Sequence, residues 1–202
     1  DESVVLVDTR PAATFVNGFV PGSVFVGLEG RFAEWAGSLL PFDQPLVLVT
    51  ESGRERETII RLARVGFQQI RGYLEGGFAA WRAAGEDIDM VIEVEADELA
   101  MDLPFDPNIV VLDVRRPAEF AEGHVKDAVN LPLTEMTDAG NLAILEENHN
   151  IYVHCAGGYR SVIAASLLKR QGIHNLRNIS GGWQKIREEE KIEKEKEGSV
   201  LN

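Results

Sequence analysis

The single thiol of the sequence stands in the segment His154-Cys155-Ala156-Gly157-Gly158-Tyr159-Arg160-Ser161, between the apolar run Ile151-Tyr-Val153 and a helical pattern at Val162–Gln171. A strand that ends on a nucleophile and turns through glycines into a helix puts that nucleophile where open α/β sheets bind ligands. Gly157 and Gly158 allow positive φ and close backbone approach, so successive N–H groups can turn inward as an anion nest. The helix N-terminus adds partial positive charge, and Arg160 a full one. Together these features favour a thiolate at Cys155. A lone cysteine is commonly no more than a small buried hydrophobe. The conjunction of strand end, paired glycines, arginine and helix start distinguishes this one. An anion at the same site would be held by the same donors.

Other chemistries find little support. The four histidines, His124, His149, His154 and His174, form no i, i+4 pair, and no Cys-x-x-Cys exists, so no metal site is expected. Neither a phosphate-binding loop nor a dinucleotide fingerprint occurs, so no cofactor is implied. His154 precedes the thiol, and strand alternation points it away from the reacting side.

The elements that must position Cys155 follow from pattern and composition. The chain has 202 residues, 45% apolar and 26% charged, as globular domains do. Its formal net charge of −13 opposes nucleic-acid binding, and no apolar run is long enough to span a membrane. One cysteine permits no internal disulfide, which suits a cytoplasmic protein. The chain also begins at Asp1 without an initiator Met, which suggests a piece of something longer. Sliding the sequence against itself gives a repeat at an offset of 105 residues. Val4–Arg10 falls on Ile109–Arg115 with one residue of slack, Leu46–Val49 on Ile151–His154, and Gly76-Gly-Phe78 on Gly181-Gly-Trp183. The expected domains are therefore 1–90 and 91–202, with a linker at 83–89. Residues 1–90 carry net charge −5 and lack Lys, His and Cys, whereas residues 91–202 carry −8, all four His and the only Cys. Short Val/Ile/Leu runs read as buried strands of a mostly parallel sheet, and Thr58–Val65 and Val162–Lys169 as amphipathic helices, so each unit is α/β. The second unit gains a lead-in strand, Val91–Glu95, and a short helix, Ala96–Met101. The charged run Lys185–Glu197 reads as a solvated terminal helix.

The chain resembles tandem rhodanese domains, the sulfurtransferase fold, over nearly its whole length. In the second unit the likeness rests on Leu112-Asp-Val-Arg115, Glu119-Phe120, Gly123-His-Val125, Ala128-Val-Asn-Leu-Pro132, Cys155–Ser161 and Ser180-Gly-Gly-Trp183. In the first, Pro21-Gly-Ser23 and Phe32-Ala-Glu-Trp-Ala36 followed by Leu39-Leu-Pro41 are similar to a narrower group in which such domains follow a metallo-β-lactamase-fold domain, often a persulfide dioxygenase. The resemblance implies that Cys155 takes sulfane sulfur from thiosulfate or a persulfide, holds it as a persulfide, and passes it to a thiol or cyanide. It also implies that Ala156, Gly157, Gly158, Tyr159, Arg160 and Ser161 cradle that sulfur, and that Asp113 and Arg115 brace the site as an ion pair. The first unit departs from the pattern: Thr50 replaces the cysteine, Ser52 replaces Gly157 and Glu55 stands opposite Arg160, so catalysis there is not expected. A cysteine phosphatase would need five residues between Cys and Arg, and only four intervene. A catalytically silent interaction module is the rival of another class; the intact second loop opposes it.

Overall fold

The computed structural model describes residues 4–197. The chain divides into two compact units between Met90 and Val91. The first runs β1 (Val5–Asp8), α1 (Ala12–Phe15), β2 (Val24–Phe25), α2 (Phe32–Leu39), β3 (Leu46–Val49), α3 (Glu55–Val65), β4 (Ile70–Tyr73) and α4 (Gly77–Ala83). Its strands are parallel in the order β2-β1-β3-β4. The second runs β5 (Ile92–Val94), α5 (Ala96–Asp102), β6 (Ile109–Asp113), α6 (Pro117–Ala121), β7 (His124–Val125), β8 (Val129–Asn130), β9 (Asn150–His154), α7 (Tyr159–Arg170), β10 (Leu176–Ile179), α8 (Trp183–Ile186) and β11 (Lys194–Glu195), with two 3-10 turns between β8 and β9. Here the parallel order is β5-β10-β9-β6-β8. Both units are thus parallel sheets flanked by helices, the α/β class expected.

The sheets follow from their composition. Val5, Val7, Leu46, Leu48 and Val49 are buried in the first unit, as are Leu112, Ile151 and Val153 in the second, because helices cover both faces of a parallel sheet. The helix after each central strand differs. In α3 only Thr58 and Leu62 are buried, whereas Ser161 through Leu168 of α7 are all buried, as in a helix enclosed by the core. The lead-in of the second unit forms β5 and α5, with β5 pairing β10 at the sheet margin.

Two expectations require correction. The run 185–197 is not one helix. Only Trp183–Ile186 is helical, and Lys194–Glu195 pairs antiparallel with His124–Val125. The cause is Ile192, the apolar residue within the charged run, which is buried in a cluster with Val125, Tyr152 and Ile186 and pulls the chain back onto the domain. The Lys126 ammonium to the Glu193 carboxylate, and the Asp127 N–H to the Glu195 carboxylate, fasten it there. The stretch 83–89 is likewise not a free linker. Asp89 exchanges both backbone hydrogen bonds with Phe19, at 2.8 and 3.0 Å, and the Trp81 indole donates to the Asp87 carbonyl. Each unit is closed by a chain segment that returns to the same place.

Candidate active site

Cys155 leaves the carboxyl end of β9 with its side chain beneath the turn that opens α7. The residue is only 1% exposed. Gly158 caps α7 at φ 104°, a conformation that glycine adopts freely, and its N–H donates to the Cys155 sulfur at 3.1 Å. The Ser161 hydroxyl donates to the Gly158 carbonyl at 2.9 Å and fixes the turn. From the other side, the N–H groups of Trp183 and Gln184 donate to the carbonyls of Cys155 and Ala156 at 2.7 and 3.1 Å. Gly182 permits this approach. A Cβ there would lie 2.3 Å from the Cys155 carbonyl oxygen. The pair Gly157-Gly158 does not act as expected from sequence, because only Gly158 has positive φ, and a Cβ at Gly157 would meet nothing closer than 3.9 Å.

Of the loop residues that follow Cys155, Ala156, Gly158 and Tyr159 are half-buried, Gly157 is exposed and Ser161 is buried. Arg160 is half-buried too, and both of its terminal nitrogens donate to the Glu119 carboxylate, at 2.7 and 2.8 Å. Arg160 holds the Glu119 carboxyl down at about 2, with Arg116 adding to the effect. Burial alone would lower the Arg160 pKa; the Glu119 contact outweighs it and raises it, helped by the nearby charges of Cys155 and Asp113.

Asp113 ends β6, the strand beside β9, and forms a buried pair with Arg115 two residues beyond it. The Arg115 Nε donates to both carboxylate oxygens at 2.9 Å, and its Nη2 also donates to the Gly123 carbonyl at 2.7 Å. The guanidinium stacks 4.7 Å from the centre of the Trp183 ring. The same arrangement recurs in the first unit: Arg10 pairs with Asp8, donates to the Gly18 carbonyl at 2.8 Å and stacks 4.4 Å from the Phe78 ring. A device present in both the unit with Cys155 and the unit with Thr50 belongs to the shared fold. His154 is fully buried, with Nδ1 3.2 Å from the Cys155 carbonyl and Nε2 3.6 Å from Asp113. That bond needs the proton on Nδ1, and Nε2 has no hydrogen-bond partner. Burial pulls its pKa below the ordinary imidazole value, against the opposing pull of Asp113.

At the equivalent place in the first unit Thr50 follows β3, and Gly53 keeps the positive φ of Gly158, at 84°. Its N–H, however, donates to the Glu55 carboxylate at 3.1 Å. The donor that faces sulfur in one unit is occupied by a carboxylate in the other. Sequence reasoning identified the loop but missed Glu119 as a site residue. The available signal was its counterpart: where the second unit has Glu119 and Arg160, the first has Thr14 and Glu55. Among the described residues no cluster of three or more His, Cys, Asp or Glu could hold a metal ion, and no helix is long and apolar enough to cross a membrane.

Comparison with known proteins gives a family match, described as Rhodanese-like domain, over residues 1–84 and 95–189. The chain is 30% identical over 99 residues to a Bacillus subtilis protein provisionally described as the sulfur carrier protein YrkF, covering 49% of this chain and about half, 52%, of that protein. It is 29% identical over 93 residues to a sulfurtransferase of Allochromatium vinosum, covering 46% of this chain and 85% of that one. A thiosulfate sulfurtransferase of Pseudomonas aeruginosa is 24% identical over 237 residues, covering 89% of this chain and 86% of its own. The crystal structure of a thiosulfate sulfurtransferase from Pseudomonas aeruginosa aligns over 96% of this chain and 41% of its own, at 20% identity and a TM-score of 0.45.

Proposed function

The chain belongs to the rhodanese-like domain family in both of its units, and on that footing we propose that it is a sulfurtransferase whose second unit carries sulfane sulfur on Cys155. The observation that carries this reading is the hydrogen bond from the Gly158 N–H, at the N-terminus of α7, to the Cys155 sulfur. A backbone donor and a helix end aimed at one sulfur suit a thiolate and, after transfer, the terminal sulfur of a persulfide.

The chemistry is two displacements. The Cys155 thiolate attacks the outer sulfur of thiosulfate, a sulfur–sulfur bond forms, the donor's sulfur–sulfur bond breaks, and sulfite leaves with the bonding pair. With an organic persulfide the leaving group is the thiolate. Cyanide or a second thiolate then attacks the terminal sulfur of the Cys155 persulfide, and the Cys155 thiolate is released with the pair. No general base acts, since both nucleophiles react as anions. The names of the relatives point to the same class, as sulfurtransferases and thiosulfate sulfurtransferases. The first unit, with Thr50 and the Glu55 contact, is a catalytically silent companion on this reading. A metallo-β-lactamase-fold partner, suggested by the wording of residues 21–41 alone, would handle the same persulfide.

The test is mass spectrometry of the protein after exposure to thiosulfate or glutathione persulfide. A gain of about 32 Da on Cys155, one sulfur atom, that cyanide removes is the expected result. Cys155→Ser should neither gain sulfur nor turn over, while circular dichroism stays native. Turnover in that variant would sink the covalent mechanism.

A further inference from the structure

We propose that Glu119 is a specificity-determining residue: by clasping Arg160 it withdraws the loop's one guanidinium from the sulfur donor and fits the site to a singly charged organic persulfide rather than to the thiosulfate dianion. The inference rests on the sulfurtransferase reading and names its donor class.

Within 155–161 Arg160 is the only cationic side chain. Its two terminal nitrogens face the two oxygens of Glu119, the fork-to-fork geometry that arginine would otherwise offer to an anionic substrate. Arg115, the other guanidinium nearby, is spent on Asp113 and the Gly123 carbonyl. The donor that faces the sulfur itself is the Gly158 backbone N–H, which stabilises one terminal sulfur charge but not a second charge on a sulfonate. Glu119 is itself held in place. It sits in the first turn of α6, accepts from the Arg116 N–H at 3.2 Å and from Arg116 Nε at 3.1 Å, and Arg116 is otherwise open to solvent.

The repeat separates this contact from the requirements of the fold. The Asp–Arg–carbonyl brace occurs in both units. The Glu119–Arg160 clasp occurs only beside the cysteine, and the first unit folds the same strands with Thr14 and Glu55 at those positions. A staple needed for folding would have no reason to be confined to the unit with the thiol.

The experiment compares kcat/KM for thiosulfate and for 2-hydroxyethyl persulfide, which carries no charge besides its persulfide, in the whole chain, as wild type, Glu119→Gln and Glu119→Thr. Wild type is expected to favour the persulfide. Both substitutions release the Arg160 charge and should raise the thiosulfate-to-persulfide ratio about tenfold, the worth of one charge-assisted hydrogen bond, mainly through a lower KM for thiosulfate. High salt should erase much of that gain. A ratio that does not move, a parallel loss for both donors, or a wild-type preference for thiosulfate would overturn the inference while leaving sulfur transfer intact. Failure of wild type to load sulfur from either donor would instead overturn the function on which it rests.

Discussion

Burial holds His154 neutral, and this gives the second unit a defined acid sensitivity. An unfolded histidine titrates near about 6.5, and the folded one lower, so below that pH the unfolded chain binds the extra proton. Stability therefore falls as pH drops from about 6.5 toward the folded value. His154→Val, which installs the residue found at Val49 in the first unit, should flatten the fall in Tm between about pH 7 and pH 5; an unchanged slope would place the sensitivity elsewhere. Glu119 works in the same sense and in a lower window. Its carboxyl is held at about 2, below the ordinary 4.5, so its contribution is complete above 4.5 and is lost as pH falls toward 2. Truncation of the brace should be severe, because Asp113→Ala leaves Arg115 buried and unpaired. A loss of about 3–5 kcal/mol by denaturant melts is expected, and the same for Asp8→Ala against Arg10. At this scale the sequence made Cys155 legible as a candidate, because it is the single thiol and the glycines after it mark a turn. It left Glu119 illegible as a site residue, because its partner lies 41 residues away and only the fold joins them.

The helices and strands were legible wherever one periodicity ruled. The central strands are apolar runs with no competing reading, and α3 and α7 carry their helical spacing openly. The start of α7 was less so: it begins at Tyr159, three residues before the apolar pattern, directly after the Gly158 turn whose N–H meets the Cys155 sulfur. Charge misled at the end of the second unit. Lys and Glu at helical spacing read as a solvated helix, yet one buried isoleucine decides the path. Ile192→Ala should cost about 2–5 kcal/mol, as large-to-small core changes do, and release β11 from β7. Hydrogen exchange at Lys126, whose N–H donates to the Glu193 carbonyl at 3.0 Å, would report the release. Gly182→Ala belongs to the same scale. With a Cβ 2.3 Å from the Cys155 carbonyl, α8 must move off the loop, and sulfur transfer should fall with it.

The duplication is the most legible feature of the whole chain, because an offset of 105 residues aligns Asp8 with Asp113, Gly18 with Gly123 and Phe78 with Trp183, which occupy matching places in the two units. It also sets what a single change in the first unit can achieve. Thr50→Cys, in a Cys155→Ser background, restores a thiol beneath a turn with the right φ at Gly53, but the Gly53 N–H already serves Glu55. No transfer from thiosulfate to cyanide is expected in a turnover assay. Appreciable turnover would make the first unit a dormant catalyst rather than a silent one. The return of 87–89 to Phe19, and of 194–195 to His124, bears on where this polypeptide tolerates being cut. The family likeness stops at residues 84 and 189, ahead of both returning segments. A unit excised at those limits would lose its antiparallel closing contact and present bare backbone donors and acceptors, an invitation to intermolecular strand pairing. Excision after residue 90, or retention through residue 197, should give soluble monomers where the shorter pieces aggregate.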